Sequence, residues 1–456
     1  MDSTQEQISL SRAASKTKLG SLSVSDEVFV IPSGEDFLVY IPLLGNVLRA
    51  NLATVSLLQG FDDAVEIDPS LKAQLIAAGV LVYTQTNSAT PGPPSKDFSP
   101  THVTLFTTSD CNLRCVYCYA RAGCRQHVMQ WKHAKAAIDF AVENATKTHA
   151  ESFSIDFHGG GEPTFGEAWH IVTESVTYSK AVAASHGLNF RSSLGTNAVL
   201  DETKLNWIVE NIDSVGVSLD GPADIHNRQR PSASGSPTFD SVMRSIKVFE
   251  QKHFPYDIRV TITNSSVNRM LEIARFIFTN TTRKSCAMEP VTVCGRCSES
   301  RVTDVDADIF LSNIMACEAE FPQARIHYSA VNLKRPHHVF CGACGSNFAV
   351  TPQGHVTSCN EVSMVDDPLA SDFFFGQYNE ASGRYDIDSS QLSRLRGRTV
   401  ENMAFCQDCF AKYSCAGDCP VRVARITGDM MDASGNGRCE ITRGLLLHKL
   451  NNRQNT

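Results

Sequence analysis

No run of eighteen or more apolar residues occurs anywhere in the 456-residue chain, so the sequence offers no membrane-spanning helix. A long basic run is also missing. The 41 Lys and Arg stand against 49 Asp and Glu, a net charge of −8, which argues against nucleic acid as a main partner. The stretch from Met1 to Lys18 lacks the apolar core of a secretory signal. These absences predict a cytoplasmic protein with neither membrane nor nucleic acid among its partners. Apolar residues make up 42% and charged residues 20%, the balance of a soluble globular chain that can bury a large core, and the length suits two or three domains.

Cysteine is what the chain has in excess, 16 in all. In a reducing compartment such a number predicts metal ligation rather than disulfides. Three fall within eight residues, Cys111-Asn-Leu-Arg-Cys115-Val-Tyr-Cys118. A [4Fe–4S] cluster offers iron corners to four thiolates, so three cysteines leave one corner open to a small molecule. Zinc sites usually show two ligand pairs instead. The Cys-x3-Cys-x2-Cys spacing, with the aromatic Tyr117 just before the third cysteine, resembles the signature of the radical S-adenosylmethionine (SAM) superfamily. That resemblance implies that the open iron chelates the amino and carboxylate groups of SAM, with Tyr117 beside the cofactor. It also implies that an electron from the cluster breaks the sulfonium bond and gives a 5′-deoxyadenosyl radical. Exposed clusters are oxygen-sensitive, which suggests anaerobic handling.

Residues 1–22, rich in Ser, Lys and Gln, predict a mobile tail. Val28 to Ile31 and Phe37 to Ile41 flank Pro32-Ser-Gly-Glu-Asp36 and predict a β-hairpin. Helical spacing through Val47, Leu48, Leu52, Val55 and Leu58 predicts a helix over 46–59, stopped by Gly60. A second helix is expected over 69–78 and a closing strand over 80–83. This small winged-helix-like α+β unit, 23–83, could accept an extended peptide on a strand edge. It resembles the leader-recognition domain at the front of enzymes that modify ribosomally made peptides; a packing or dimerisation domain is the alternative. Residues 84–100, with prolines at 91, 93, 94 and 100, read as a linker.

Six β-rich runs follow, starting at Val103, Phe153, Phe190, Ser214, Ile258 and Cys286, with helical stretches over 134–145, 167–185, 201–210, 239–251 and 270–278. Such alternation predicts a parallel sheet with right-handed crossovers. Over 101–298 it suits an α/β fold, a partial (β/α)6 TIM-type barrel, with its chemistry on the loops after the strand C-termini. Residues 299–340 are expected to bridge to a cysteine-rich domain over 341–445, and 446–456 to form a tail.

The remaining candidates fall on those loops. His158-Gly-Gly-Gly161-Glu162 matches the family's Gly-Gly-Glu element, which implies that Gly160, Gly161 and Glu162 receive the SAM amino group. Thr196-Asn197 and Ser218-Leu-Asp220-Gly221 resemble two further family elements near the methionine and ribose, with Ala198 where Gly is usual. Glu289, on the sixth strand, is a candidate acid–base group facing the substrate, or a surface carboxylate. In the tail, Cys341, Cys359, Cys406-x2-Cys409-x5-Cys415-x3-Cys419 and Cys439 resemble the seven-cysteine SPASM pattern, which implies two auxiliary [4Fe–4S] clusters and three in total. Mapped by that resemblance, Cys406, Cys409, Cys415 and Cys439 hold the distal cluster. Cys359 and Cys419 hold the proximal one with Cys341, Cys344 or both. Cys124 and Cys317 fit small buried hydrophobes, and Cys286, Cys294 and Cys297 stay unassigned.

The resemblance implies hydrogen-atom abstraction from an unactivated carbon, mostly of peptides, with a flavodoxin- or ferredoxin-type electron donor. The front unit favours a maturase that binds the leader of a precursor peptide and closes a C–S or C–C cross-link in its core. An enzyme oxidising Cys or Ser to formylglycine in a sulfatase would share the barrel and tail. A non-enzymatic electron carrier would leave the SAM-like loops unexplained.

Overall fold

The structure is a computed structural model that describes residues 8–9, 21–83, 97–333 and 335–453. Most of the tail expected over 1–22 and of the linker over 84–100 lies outside those residues. The N-terminal elements are β1 (Ile8–Ser9), β2 (Leu22–Val24), β3 (Phe29–Ser33), β4 (Asp36–Ile41), β5 (Asn46–Ala50), α1 (Leu52–Gln59), α2 (Pro69–Ala77) and β6 (Leu81–Tyr83). The hairpin β3–β4 turns where expected, through Gly34 in the left-handed region. Residues 46–50 are not the start of a helix. They pair antiparallel with β4, Val47 opposite Tyr40 and Leu48 opposite Val39. The helix begins only after Asn51, whose side chain accepts from the Thr54 N–H at 3.0 Å and caps it.

The barrel follows as β7 (His102–Leu105), α3 (Trp131–Lys147), β8 (Ser152–Phe157), α4 (Ala168–His186), β9 (Asn189–Thr196), α5 (Glu202–Asn211), β10 (Ser214–Ser218), α6 (Ala223–Gln229), α7 (Phe239–Gln251), β11 (Tyr256–Ile262), α8 (Met270–Asn280) and β12 (Ser285–Pro290). All six strands are parallel and stand in sequence order. Alternate residues such as Phe153, Ile155 and Phe157 are buried, and their neighbours Ser154 and Asp156 face the other side.

A seventh unit continues the pattern: α9 (Ala307–Glu320), then β13 (Arg325–His327), parallel to β12. Three residues are too few to reveal strand alternation in a sequence, and this segment reads as irregular. At the opposite edge β14 (Ala349–Val350) pairs parallel with β7. The sheet then runs on antiparallel through β15 (His355–Thr357), past α10 (Ala370–Phe373), to β16 (Phe374–Asn379) and β17 (Arg384–Ile387), followed by α11 (Ser389–Arg396). Residues 341–397 therefore extend the barrel sheet to eleven strands instead of starting a separate domain. The chain ends with α12 (Lys412–Cys415), α13 (Pro420–Thr427) and α14 (Arg438–Arg453).

Two compact units result. One joins Asp97–Ser329 to Cys341–Gly397; the other joins Met1–Lys96 to Ala330–Phe340 and Arg398–Thr456. In the second, the N-terminal sheet is buried on both faces, which is why its strands read as continuous apolar runs. Val28, Val30, Val39 and Ile41 pack toward Val55, Leu58 and Leu75. Phe29, Ile31, Leu38 and Tyr40 pack on the other face with Phe410, Ala411, Leu446 and Leu450. The tail expected from 446 is therefore, as far as 453, the second half of α14, anchored by the buried Leu446 and Leu450. Lys412 donates to Glu27 at 2.9 Å, and Tyr413 donates to the same carboxylate at 3.0 Å. Among the described residues no helix is long and apolar enough to cross a membrane.

Candidate active site

The first barrel loop leaves β7 and carries Cys111, Cys115 and Cys118. The Leu113 N–H donates to Cys111 Sγ at 3.3 Å and the Ala122 N–H to Cys118 Sγ at 3.4 Å. The three thiols lie within electrostatic reach of one another. Burial pushes the Cys111 thiol up, with Glu162 adding to it. Burial pushes Cys115 up to about 11, with Arg230 and Arg296 pulling the other way. Desolvated thiols held together beside cations suit a bound cluster, whose positive irons take the place of the protons. The donor set thus fits a [4Fe–4S] cluster held by Cys111, Cys115 and Cys118. The Arg296 side chain, almost fully buried, donates to the carbonyls of Cys115 and Ala122 at 3.1 and 2.6 Å and ties the loop to residues 294–297.

The glycine run after β8 packs directly on this loop. A Cβ on Gly161 would lie 2.1 Å from the Asp110 carbonyl oxygen, and one on Gly160 would lie 2.7 Å from that of Thr108. Gly160 also has φ +69, open chiefly to glycine. Glu162 is buried and fully engaged. Its Oε1 accepts from Thr164 Oγ1 and Thr196 Oγ1, both at 2.7 Å, and its Oε2 from the Asn197 N–H at 2.7 Å. It braces the ends of β8 and β9 against each other, where the sequence suggested a carboxylate free to meet an ammonium. Burial raises its pKa, and these hydrogen bonds oppose the rise. Asn197 turns back to the cluster loop, its amide donating to Asn112 at 2.7 Å and to Cys111 Sγ at 3.8 Å. Ala198 occupies the left-handed region at φ +57, which explains why glycine suits that position.

Asp220 is also an internal brace. It is fully buried and accepts from Tyr117 Oη at 2.7 Å, Gln229 Nε2 at 2.8 Å and the Thr261 N–H at 3.2 Å. Arg230 donates to the Tyr117 hydroxyl. Tyr117 and Asp220 thus link the cluster loop to β10 and β11, and their polar atoms are taken up by protein partners. Ser218 stands on the inner face at the end of β10, half-buried. Glu289 also stands half-buried there, on β12, and accepts from the Ser329 N–H at 2.6 Å and hydroxyl at 3.0 Å. Sequence reasoning passed over Arg230, Gln229, His226 and Arg296. Only the polar run between Asp220 and Pro231, and the Cys294-Gly-Arg-Cys297 motif, could have pointed to them.

The tail cysteines fall into the two units. In the barrel unit, Cys341 and Cys344 flank a turn in which the Cys344 N–H donates to the Cys341 carbonyl at 3.2 Å. Asn347 donates to the Ser358 carbonyl at 3.0 Å and so holds that turn beside Cys359. Ser358 Oγ, Asn360 Oδ1 and Glu361 Oε2 are buried and find no partner among the described residues, as polar atoms that face a bound group would. In the other unit, Cys406, Cys409, Cys415 and Cys439 line one small pocket, with Lys412 and Arg443 in its wall. Burial raises the Cys406 thiol to about 11 and Cys439 to about 12, and it raises Cys415 as well. Cys419 caps α13. Among the described residues no three His, Cys, Asp or Glu converge closely enough for a single metal ion; a cubane is a wider body and holds its ligands farther apart.

Residues 105–277 match the radical SAM superfamily. The chain is 28% identical over 179 residues to an uncharacterized protein of Methanocaldococcus jannaschii, covering 39% of this chain and 58% of that one. It is 26% identical over 171 residues to the cysteine-type anaerobic sulfatase-maturating enzyme of Clostridium perfringens, covering 37% of this chain and 46% of the other. The chain thus spans about half the length of these curated relatives. The serine-type anaerobic sulfatase-maturating enzyme of Klebsiella aerogenes is 24% identical over 363 residues, 72% of this chain and 79% of that one. The fold is similar to that of anSMEcpe with bound AdoMet (TM-score 0.59, 19% identity, covering 78% of this chain and 99% of the other). It is also similar to that of Streptococcus suis SuiB bound to precursor peptide SuiA (TM-score 0.53, 14% identity, 91% and 99%). The spacing of the three thiols on the loop after β7, the glycine run packed against it and the match over 105–277 agree: the chain carries a radical SAM domain, and that domain belongs to the radical SAM superfamily.

Proposed function

We propose that the chain is a peptide-modifying radical SAM enzyme that closes a C–S or C–C cross-link in a ribosomally made precursor. The observation that carries this reading is the front unit. The likeness to SuiB, a protein seen with its precursor peptide, takes in 91% of this chain, against 78% for anSMEcpe. When bound, the cluster and SAM together supply a 5′-deoxyadenosyl radical that takes a hydrogen atom from the substrate. The protein's part is to place and to shield. Cys111, Cys115 and Cys118 hold the cluster, and the backbone of Gly160 and Gly161 lies against that loop where the SAM amino group is received. The Glu162 and Asp220 braces fix the strand ends around it, and Tyr117 closes the pocket from the cluster loop. Cys406, Cys409, Cys415 and Cys439 would hold one auxiliary cluster, and a second would draw on Cys359 with Cys341, Cys344 or both. Such clusters, when bound, would supply a route for an electron from the substrate, which would make the net change an oxidation. A flavodoxin- or ferredoxin-type protein supplies the priming electron in the cytoplasm.

A second reading has its own support. The alignment with the serine-type sulfatase-maturating enzyme runs over 72% of this chain, and that reading would make the product a formylglycine. One experiment separates the two. The reconstituted chain is incubated anaerobically with SAM, a reductant and either a short peptide encoded beside its gene or a sulfatase-derived peptide. A peptide that loses two hydrogens and gains an internal bond, with 5′-deoxyadenosine formed, supports the first. Oxidation of Cys or Ser to an aldehyde in the sulfatase peptide alone overturns it.

A further inference from the structure

Four neighbouring strands build an unusual floor inside the barrel sheet. On β9 and β10 the inner-face residues Gly195 and Gly216 stand directly opposite each other in register. Neither carries a side chain, so two larger ones lie over them. A Cβ on Gly195 would come within 2.3 Å of His158 Nδ1, so the imidazole from the end of β8 rests on that glycine. A Cβ on Gly216 would meet only Arg259 Cδ, at 3.9 Å, so the stem of Arg259 from β11 passes over the second. Ser218, in register with Arg259, leaves a small hydroxyl at the next inner-face position.

The guanidinium of Arg259 is exposed on this inner face and makes no hydrogen bond or ion pair with any described residue. Three carboxylates around it bond to other residues. Asp156 accepts from Ser193 at 2.8 Å, Asp257 pairs with Arg283 at 3.5 Å, and Glu289 is held by Ser329. Tyr119, one residue past Cys118, lies in electrostatic reach of Arg259 and of Glu361, while His158 feels both Arg259 and Asp156. A guanidinium without a partner among the described residues, beside an imidazole on the glycine floor, presents N–H donors to an oxyanion with two acceptors.

We propose that Arg259, with His158 beside it, forms a subsite for a carboxylate of the substrate, an acidic side chain or a chain-terminal carboxylate near the residue under attack. The subsite rests on the reading of the chain as a peptide-modifying enzyme. It narrows the substrate to peptides that carry a carboxylate close to the reacting carbon. Gly195 is its shape element, since any side chain there would displace the imidazole, while at Gly216 a methyl would just touch the arginine stem at 3.9 Å and a branched side chain would crowd it.

The test uses the anaerobically reconstituted full chain with SAM and three capped probes. These are acetyl-Gly-Ser-Asp-Gly-amide, acetyl-Gly-Ser-Asn-Gly-amide, and the second sequence with a free C-terminal carboxylate. Binding is measured by calorimetry, with iron content and SAM affinity as checks that each variant is intact. A carboxylate-bearing probe is expected to bind about tenfold more tightly than the neutral one, and whichever carboxylate is preferred identifies the source. Arg259→Met should erase the preference and Arg259→Lys keep part of it. Gly216→Val, which leaves the guanidinium in the chain but fills the floor, should also erase it. Equal binding of the three probes, no binding of either acid at millimolar concentration, or a preference that survives Arg259→Met overturns the subsite. If the acid preference and its loss hold but no peptide is ever altered, the subsite stands and the peptide-modifying reading fails.

Discussion

Replacing Gly161 by alanine should separate the two loops that form the cluster pocket. The new Cβ would sit 2.1 Å from the Asp110 carbonyl oxygen, 2.8 Å from its nitrogen and 2.9 Å from the Ser109 carbonyl carbon. A carbon–oxygen contact needs about 3.3 Å, so the loops must part by about 1 Å. All three obstacles are backbone, which cannot swing aside as a long side chain can. The hydrogen bond from the Glu162 N–H to the Asp110 carbonyl, 2.8 Å, lies across the same contact and would lengthen. Overpacking costs about 1–3 kcal/mol and the weakened hydrogen bond about 1 kcal/mol, a local penalty of about 2–4 kcal/mol. A displacement of that size near a reacting centre lowers turnover by about 100-fold. The assay is 5′-deoxyadenosine formation per assembled cluster after anaerobic reconstitution. Gly166→Ala is the control. Gly166 has φ +60, but a methyl group there would have nothing within 4 Å, so alanine meets only local backbone strain of about 1–2 kcal/mol. If Gly161→Ala assembles iron and cleaves SAM as well as Gly166→Ala does, the packed-loop account of the glycine run is wrong.

Cys115→Ala should abolish SAM cleavage, because a cluster left with two thiolates from this loop is not assembled; 5′-deoxyadenosine formed at the native rate would refute the assignment. Replacing Cys111, Cys115 and Cys118 together should lower the reconstituted iron content from about twelve to about eight per chain. A native value of four or fewer would remove the auxiliary clusters from the reading. His226 is fully buried, and burial together with Arg230 lowers its pKa to about 4 against the partial opposition of Asp220. Its neutral form is the folded one. Its contribution is therefore complete above the ordinary value near 6.5 and is lost as the pH falls toward 4, with about 1.4 kcal/mol gone by pH 5.5. Comparing thermal midpoints at pH 7.5 and 5.5 in the native chain and in His226→Gln should show a smaller drop in the variant. Ala198→Gly, which relieves a left-handed alanine, should raise the thermal midpoint slightly; an unchanged or lower value would place the strain elsewhere.

The barrel strands were legible because each alternates cleanly, as in Phe153, Ile155 and Phe157 against Ser154 and Asp156, with a helix between each pair. The cluster loop was legible from spacing alone. What the sequence hid depends on partners far along the chain. Val47 and Leu48 fit a helical stripe as well as a strand, and only β4 decides between them. Residues 349–350 carry no mark that their neighbour is β7, some 240 positions earlier. The chemistry of Glu162 and Asp220 was hidden in the same way. A carboxylate on a barrel loop reads as a ligand group alone until Thr164, Thr196 and Asn197, or Tyr117 and Gln229, are seen to hydrogen-bond to it and make it a brace as well.

The apolar face made by Phe29, Ile31, Leu38 and Tyr40 has its cover in Phe410, Leu446 and Leu450. On the ribosome, therefore, one of the first surfaces synthesised has to wait for the last. Translation at about 5–20 residues per second puts about 20–75 s between Tyr40 and Phe410. Throughout that interval the growing chain displays an uncovered hydrophobic sheet while the barrel forms behind it. A truncation within α14 would leave that surface permanently bare, so nonsense mutations near the C-terminus should produce chains that bind chaperones through their N-terminal residues.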